Sequence, residues 1–142
     1  MPSPDTSDLD LLDRARETLR TAPDPHRHRA ACALRIDAGD VLTGLHLDTT
    51  MSNAAVHAEG VALGRAAERD AAVRTVATVS RPEPDAERFP PIAPCGSCRE
   101  LLADYAPDAR VVVPAGDPVE GDAELAVRGV EALLPDASWH DR

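Results

Sequence analysis

Lysine is absent from this 142-residue sequence, and all 15 of its basic residues are arginines. A mechanism that uses a lysine Schiff base is therefore excluded. Aromatic residues are also scarce, at 2% of the chain, whereas apolar residues make up 43%. That apolar fraction is typical of globular proteins. It predicts one folded domain, residues 1–142, whose core is built from alanine, valine, leucine and isoleucine.

Positive charge is scarce as well, since the formal net charge is −10 and no cluster of basic residues stands out. Proteins that bind long nucleic acids neutralise phosphates with a basic face, so this class of partner is disfavoured. The charge balance favours a small neutral or cationic substrate instead.

Long apolar runs are missing, and residues 1–10 are acidic and polar rather than typical of a signal peptide. The expectation is a cytoplasmic protein that does not enter a membrane. Of three cysteines, two form a C-x-x-C pair, which in that compartment indicates a metal site or a redox pair. Cys32 lies among small apolar residues and is predicted to fill the core.

The spacing of apolar residues predicts alternating helices and strands. A first helix is expected from a cap at Thr6 or Ser7 to Thr21, and its buried stripe is Leu9, Leu12, Ala15 and Leu19. Strands are expected at 30–36, 41–47, 73–80, 110–114 and 125–127, with a hairpin turn at 37–40. Helices are expected at 54–69, from Cys95 or Gly96 to Tyr105, and at 129–134. In the helix at 54–69, the predicted packing residues are Val56, Leu63, Ala66 and Ala67. This alternation is typical of a layered α/β domain.

Two short motifs supply the donor set of a zinc site. His57 contributes an imidazole, and Cys95 and Cys98 contribute two thiols. Three protein ligands that leave a fourth position for water are typical of catalytic zinc. Both cysteines are predicted at the start of a helix, where free N–H groups and the helix dipole favour thiolates. Arg99 follows Cys98 directly and is predicted to hydrogen-bond a thiolate from outside the ligand set.

Glu59 is predicted to be the proton carrier of this site. It follows His57 by two residues near a helix start, which places its carboxylate beside the metal without making it a ligand. A carboxylate there can take a proton from water, pass it to a ring nitrogen and then pass it to a leaving amine.

Structural zinc and a redox pair are the alternatives to catalytic zinc. A structural site needs a fourth strong ligand, and the spare candidates are Cys32 and the histidines at 26, 28, 46 and 140. A redox pair would leave His57 and Glu59 unexplained. A non-catalytic protein that retains the zinc is a further alternative, although the intact Glu59 favours an enzyme. The acidic balance disfavours an enzyme that edits polynucleotides.

The joint pattern H-x-E…P-C-x-x-C is the signature of zinc deaminases, and the sequence resembles the cytidine deaminase family with its blasticidin-S deaminase relatives. Residues 30–34 are similar to the family's first-strand V-G-A-A-L. Residues 94–102 are similar to its P-C-G-x-C-R-Q-x-L, with Glu100 in place of glutamine. The resemblance extends from the first helix to Pro135.

The resemblance implies a fold and a set of partners. It implies a three-layer α/β/α sandwich around a five-stranded mixed sheet, and one zinc ion held by His57, Cys95 and Cys98 with Glu59 as proton shuttle. It also implies a small aminoheterocycle as substrate, a role in pyrimidine salvage, and a homo-oligomer, either a tetramer or a dimer, in which neighbouring subunits complete each pocket.

The sequence departs from the family where the substrate's sugar is bound. Members that act on free nucleosides carry G-x-N-x-E-N, whereas this chain has Gly44-Leu45-His46-Leu47-Asp48-Thr49. His46 and Asp48 therefore replace the asparagine and glutamate that bind ribose hydroxyls. A site built to bind a hydroxyl discriminates strongly against analogues that lack it, so an altered substrate preference is expected. The candidate substrates are therefore cytidine or deoxycytidine, a cytosine-containing antibiotic, or another aminoheterocycle.

Further pocket residues are predicted around these positions. His28 takes the place of a pocket aromatic, within a polar segment at 26–29 that is either a solvated loop or a pocket rim. Ala58 and Ala93, next to the metal motifs, are also predicted to contact the substrate. Trp139 either enters a neighbouring pocket or anchors the tail. The proline-rich loop at 81–91 is expected to be mobile.

Overall fold

The computed structural model describes residues 2–116 and 124–136. Helices and strands alternate along the chain, as predicted. The helices are α1 (Thr6–Arg20), α2 (Ala58–Glu68), α3 (Gly96–Tyr105) and α4 (Val130–Leu133), and a single 3-10 turn (Ser52–Ala54) precedes α2. The strands are β1 (Ala30–Ile36), β2 (Val41–Leu45), β3 (Val73–Ser80), β4 (Pro91–Ile92), β5 (Arg110–Pro114) and β6 (Leu125–Gly129).

The strands form one mixed sheet in the order β2-β1-β3-β5-β6, and β4 pairs with β3 beside this path. Strands β3 and β5 run parallel, whereas the other pairs are antiparallel. The predicted bounds of β1, β3 and β5 are confirmed at both ends. Strand β4 was not predicted, because two residues that include a proline give no strand pattern.

Helices cover both faces of the sheet, which confirms the three-layer α/β/α architecture. Helix α1 packs on one face, and its buried residues meet alternate residues of β1, β3 and β5. Helices α2, α3 and α4 pack on the other face. The core is aliphatic, as predicted, and Phe89 is the aromatic member of the two core clusters among the described residues.

Helix α1 begins differently from the prediction. Its N-cap is Asp5 rather than Thr6 or Ser7: Asp5 Oδ1 accepts from Asp8 N and Asp8 Oδ2 accepts from Asp5 N, both at 2.9 Å. Asp8 is fully buried, and its Oδ2 also accepts from Arg110 Nη2 on β5 at 2.8 Å. Because Asp8 faces the sheet, Leu9 does not, and the prediction that Leu9 is buried is wrong: it is 44% exposed.

Helix α2 begins at Ala58 rather than Ala54. The backbone before it is extended, and Leu47 and Val56 exchange two backbone hydrogen bonds of 2.9 and 3.0 Å in an isolated antiparallel bridge. Burial of Leu63 and Ala66 is confirmed, whereas the predicted packing of Val56 and Ala67 is wrong because both are exposed. The bridge turns Val56 outward and leaves His57 as the N-cap of α2.

Gly44 sets the distance between β2 and α2. A Cβ atom at this position would lie 2.6 Å from Ala62 N and 2.8 Å from Ala58 O. Only a residue without a side chain allows this approach. The first turn of α2 is therefore held directly against the sheet.

The loop at 81–91 is fixed near its end by Phe89. The ring is buried, and the Arg81 guanidinium lies 5.0 Å from its centroid. Arg16 Nε donates to Phe89 O at 3.1 Å, which ties the loop to α1. Among residues 2–116 and 124–136, no helix has the length and apolar character needed to cross a membrane.

Candidate active site

Two helix N-termini meet at the predicted metal site. His57 is the N-cap of α2 and Cys95 is the N-cap of α3, and neither side chain caps its own helix. The backbone N–H groups of both first turns therefore lack side-chain acceptors at these caps. Together with the positive ends of the two helix dipoles, they favour anionic ligands such as thiolates at this point.

The three predicted ligands converge. His57 Nδ1 lies 3.2 Å from Cys95 Sγ and 3.5 Å from Cys98 Sγ, and all three donor atoms lie within 4.8 Å of one another. Tetrahedral zinc with Zn–N of about 2.0–2.1 Å and Zn–S of about 2.3 Å places nitrogen and sulfur about 3.5 Å apart. The donor set and its spacing therefore fit one zinc ion bound through Nδ1 of His57.

The surroundings of Cys98 affect the ionisation of its thiol. Burial, together with the nearby carboxylate of Glu59, raises the pKa of the Cys98 thiol. A bound divalent cation reverses this effect, because a coordinating thiol is deprotonated outright. Metal binding would therefore favour the thiolate form of Cys98 and release its proton.

Glu59 lies beside the three donors in the first turn of α2. Its side chain is almost fully buried, and Oε2 lies 3.3 Å from Cys98 Sγ. This is the position expected of a carboxylate that serves the site without belonging to the ligand set. Burying a carboxylate is costly, so its retention next to a metal group favours a chemical role.

His46 lies against the ligand His57. The two rings meet edge to face with their centroids 5.8 Å apart. Burial, opposed by the charge of Asp48 and reinforced by His57, lowers the pKa of His46, which favours the neutral form of its imidazole. His28 Nδ1–H donates to His46 O at 2.9 Å. The structure thus brings His46 against the metal group, and His28 is linked to it through the His46 backbone.

The other predicted contact residues, Asp48, Ala58 and Ala93, lie close in sequence to His46, His57 and Cys95. Asp48 is exposed, and its backbone N–H donates to Arg27 O at 3.2 Å. Ala58 is buried as the first residue of α2, and Ala93 is half-buried just before Pro94. Within the segment 26–29, His26 is exposed whereas His28 is half-buried, and the choice between a solvated loop and a pocket rim stays a prediction.

Arg99 supports the site in a different way from the prediction. Its Nε donates to Pro94 O at 2.8 Å and its Nη1 donates to Leu133 O at 3.2 Å, rather than to a thiolate. Side chains on a helix lean towards its N-terminus, so the guanidinium reaches the carbonyl that precedes Cys95. Arg99 therefore fixes the loop that carries Cys95 and joins it to α4.

One residue important to the site escaped sequence reasoning. Gly44 was noted only as part of a motif, although its lack of a side chain positions α2. Trp139 and His140 lie outside the described residues, and the two interpretations of Trp139 stay predictions.

Comparison with known proteins agrees with this geometry. Residues 5–114 match the cytidine and deoxycytidylate deaminase zinc-binding region. The chain belongs to this family. Because the family region binds zinc and His57, Cys95 and Cys98 form a group that can hold a metal ion, the prediction of zinc is confirmed.

Individual relatives support the fold as well. The chain is 29% identical over 133 residues to the blasticidin-S deaminase of Bacillus cereus, with 90% of this chain and 89% of that protein covered. It is 26% identical to the cytidine deaminase of Burkholderia pseudomallei, with a TM-score of 0.70 over 92% of this chain and 98% of that one. The cytidine deaminase of Bacillus anthracis, at 18% identity, shares the fold with a TM-score of 0.74 over 92% of this chain and 88% of that one.

Proposed function

We propose that this protein is a zinc-dependent hydrolase that deaminates cytosine nucleosides, with cytidine or deoxycytidine converted to the uridine-type product and ammonia. The observation that carries the proposal is the buried Glu59 carboxylate 3.3 Å from Cys98 Sγ. A structural zinc site has no use for a buried carboxylate beside its ligands. A deaminase needs one, because each turnover moves protons from water to the substrate.

The roles of the residues follow from their positions. His57, Cys95 and Cys98 hold the zinc. When bound, zinc supplies a Lewis acid that makes water a nucleophile near neutral pH. Glu59 accepts a proton from the attacking water, delivers it to the ring nitrogen N3 and later protonates the leaving amine. One C–O bond forms at C4, the C4–N bond breaks, and water and substrate become product and ammonia.

Substrate contacts are assigned to the residues around this centre. His46 and Asp48 face the sugar, where the family's asparagine and glutamate stand. The N–H of Ala58 at the start of α2 and the backbone of Ala93 bind the cytosine ring. His28 fixes the strand end that carries His46 through its hydrogen bond to the His46 carbonyl.

A specialised deaminase of a cytosine nucleoside antibiotic is the second candidate. The imidazole of His46 against His57 favours it, because a ring in place of an asparagine side chain changes both the shape and the hydrogen bonds of the sugar site. A preference for a modified sugar, or for another aminoheterocycle, is the expected consequence.

A homo-oligomer completes the proposal, and a tetramer or a dimer would fit. The apolar side chains of Val56, Leu101 and Tyr105 are 42%, 38% and 60% exposed. Val56 and Leu101 flank Gly60, which follows Glu59 by one residue, so an apolar surface lies close to the site. We place the proposed interface at this surface. In this proposal the chain acts as one domain, on free nucleosides in the cytoplasm, within pyrimidine salvage.

The test is ammonia release by zinc-loaded protein from cytidine, deoxycytidine, cytosine, blasticidin S and aminopurines. Turnover of cytidine or deoxycytidine with the highest kcat/KM supports the first candidate. A clear preference for blasticidin S supports the second. Absence of ammonia from every compound, with one zinc bound per chain, contradicts both.

A further inference from the structure

The two thiols of the candidate metal group are held in different ways. Cys98 lies within α3 and is 1% exposed, so the packing around its side chain fixes the sulfur. Cys95 is exposed and lies at the N-cap of α3, where its side chain makes no capping hydrogen bond. Packing holds an exposed side chain only weakly. The position of Cys95 Sγ therefore depends on the backbone at residues 94–95.

Arg99 holds this backbone on both sides of the Cys95 Cα atom. Its Nε donates to Pro94 O at 2.8 Å, and its backbone N–H donates to Cys95 O at 2.9 Å. Pro94 directly precedes the N-cap, and Arg99 is the fourth residue of α3. In many helices an apolar pair at these two positions sets the angle at which the chain enters the helix. Here a hydrogen bond joins the two positions.

The same guanidinium also reaches α4. Arg99 Nη1 donates to Leu133 O at 3.2 Å. Leu133 is the last residue of α4, and the last carbonyls of a helix lack partners within it. The side chains of Val130 and Leu133 are buried in the core cluster that also contains residues of α2 and α3. The end of α4 is thus anchored in the core and gives the guanidinium a fixed point.

We propose that Arg99 is a positioning residue that links the packing of α4 to the metal ligand Cys95, so that retention of zinc depends on α4. A planar guanidinium suits this role, because its donors point in fixed directions and can serve two carbonyls at once. Loss of a residue that orients a metal ligand typically costs about 10- to 100-fold in metal affinity or activity. The inference rests on Cys95 as a zinc ligand in the proposed function and does not depend on the substrate.

The first measurement is the rate at which the zinc-loaded protein releases zinc to an excess of a chromogenic chelator. Arg99→Met retains the aliphatic stem of the side chain but removes both of its hydrogen bonds. We expect release to become about tenfold faster or more, as for the loss of other residues that orient a metal ligand. Arg99→Lys keeps the charge on a single nitrogen, so we expect a rate between those of Arg99→Met and the wild type.

Arg65→Met is the matched control. Arg65 Nη1 donates to Thr43 O at 2.8 Å and joins α2, the other helix that carries a ligand, to β2. The control therefore loses a comparable bond between an arginine and a carbonyl. Arg65 lies in the last turn of α2, away from the metal group at the start of that helix. We expect the wild-type rate of zinc release.

A second measurement reports the geometry of the ligands directly. The protein is loaded with Co²⁺ in place of zinc, and its visible absorption bands are recorded, since these bands depend on how the ligands surround the ion. We expect the bands of Arg99→Met to shift and those of Arg65→Met to match the wild type. A loss of overall stability alone would not change the spectrum of the folded protein.

A third measurement tests the link to α4. Leu133→Val loosens the packing at the end of α4 and should speed zinc release in the wild-type background. In the Arg99→Met background it should add little, because the connection is already lost. Leu12→Val is the control: Leu12 is equally apolar and buried but lies on α1, across the sheet. Its effect should combine additively with that of Arg99→Met in a double-mutant cycle on the logarithm of the rate.

The outcomes separate this inference from the proposed function. Unchanged zinc release and an unchanged cobalt spectrum in Arg99→Met would overturn the inference, as would additive effects of Leu133→Val and Arg99→Met. Should Arg99→Met fail to fold, Arg99→Lys replaces it in all three measurements with smaller effects in the same direction. A wild type that binds no zinc would overturn both proposals. A wild type that releases no ammonia, but whose zinc release responds to Arg99→Met, would contradict the proposed function alone.

Discussion

The imidazole rings of His46 and His57 meet edge to face, with their planes inclined at 72°. A residue that departs from the family's sugar-binding pattern therefore packs directly on a metal ligand. Groups that contact a metal ligand influence its orientation and basicity. In the proposed function, substrate specificity and metal chemistry are therefore linked at this pair.

Restoring the family's sugar-binding residues should shift substrate preference. For the double variant His46→Asn with Asp48→Glu, we expect the ratio of kcat/KM for cytidine over blasticidin S to rise about tenfold or more, because sites that bind a hydroxyl discriminate strongly. Competition between the two compounds measures this ratio. His26→Asn is the control, since His26 is exposed on the same segment as His28. An unchanged ratio would mean that substrate choice lies elsewhere.

Removal of the proposed proton carrier should abolish turnover without loss of metal. Glu59→Gln retains the size and polarity of the side chain but cannot accept a proton. We expect kcat to fall about 10²- to 10⁴-fold, the usual contribution of general acid–base catalysis, with one zinc per chain by elemental analysis. Glu68→Gln, at the exposed end of the same helix, should leave both values unchanged. Near-normal turnover by Glu59→Gln would instead assign the proton transfer to another group.

Much of this site could be predicted from the sequence, because zinc binding requires particular residue types at a fixed spacing. The ligand set of His57, Cys95 and Cys98 needed only the motif, and the strand bounds of β1 and β3 needed only apolar runs. The start of α2 could not be predicted in this way. It depends on the bridge between Leu47 and Val56, which is a tertiary contact that no local pattern encodes.

Gly44 provides a test of how closely α2 must approach the sheet. Gly44→Ala adds a Cβ where Ala62 N would be only 2.6 Å away, so α2 has to move and carry His57 and Glu59 with it. We expect a destabilisation of about 1–3 kcal/mol, typical of overpacking, and a loss of kcat larger than that of any substitution remote from the site. Denaturant unfolding and steady-state kinetics measure the two effects.

Gly64→Ala is the matched control for that experiment. Gly64 lies in the same helix, and no atom lies within 4 Å of the added Cβ. Replacing glycine within a helix should stabilise the fold by about 0.5–1 kcal/mol with kcat unchanged. Equal stability of the two alanine variants would show that the close approach of α2 to Gly44 does not restrict the side chain at that position.

The cap of α1 predicts a pH dependence of stability. The hydrogen bond from the Asp8 backbone, together with the charge of Arg110, lowers the pKa of Asp5 below that of the unfolded chain. The stabilisation by Asp5 is therefore fully present above an unfolded pKa of about 3.9 and is lost as the pH falls through the lower folded value. Asparagine caps equally well but does not titrate.

Asp5→Asn thus isolates the ionisable part of this cap. Thermal unfolding between pH 7 and pH 2 should show a smaller loss of stability for Asp5→Asn than for the wild type. Identical curves would mean that the Asp5 charge adds nothing to the cap.

The sequence prediction placed the N-cap of α1 at Thr6 or Ser7, because aspartate, threonine and serine are all good N-caps. Asp8 decides the choice, since it completes the capping box with Asp5 and also contacts Arg110.

The two halves of the metal group, His57 and Cys95, are 38 positions apart in the sequence, and β3 lies between them. No short peptide of this chain carries all three ligands, so an ion cannot nucleate a local loop as it does in a zinc finger. The sheet has to assemble first, which makes metal uptake a late event in folding. A ligand that binds only the finished state stabilises it by mass action and slows its unfolding. We therefore expect added zinc to lengthen the lifetime of the native state and to leave the rate of its formation unchanged.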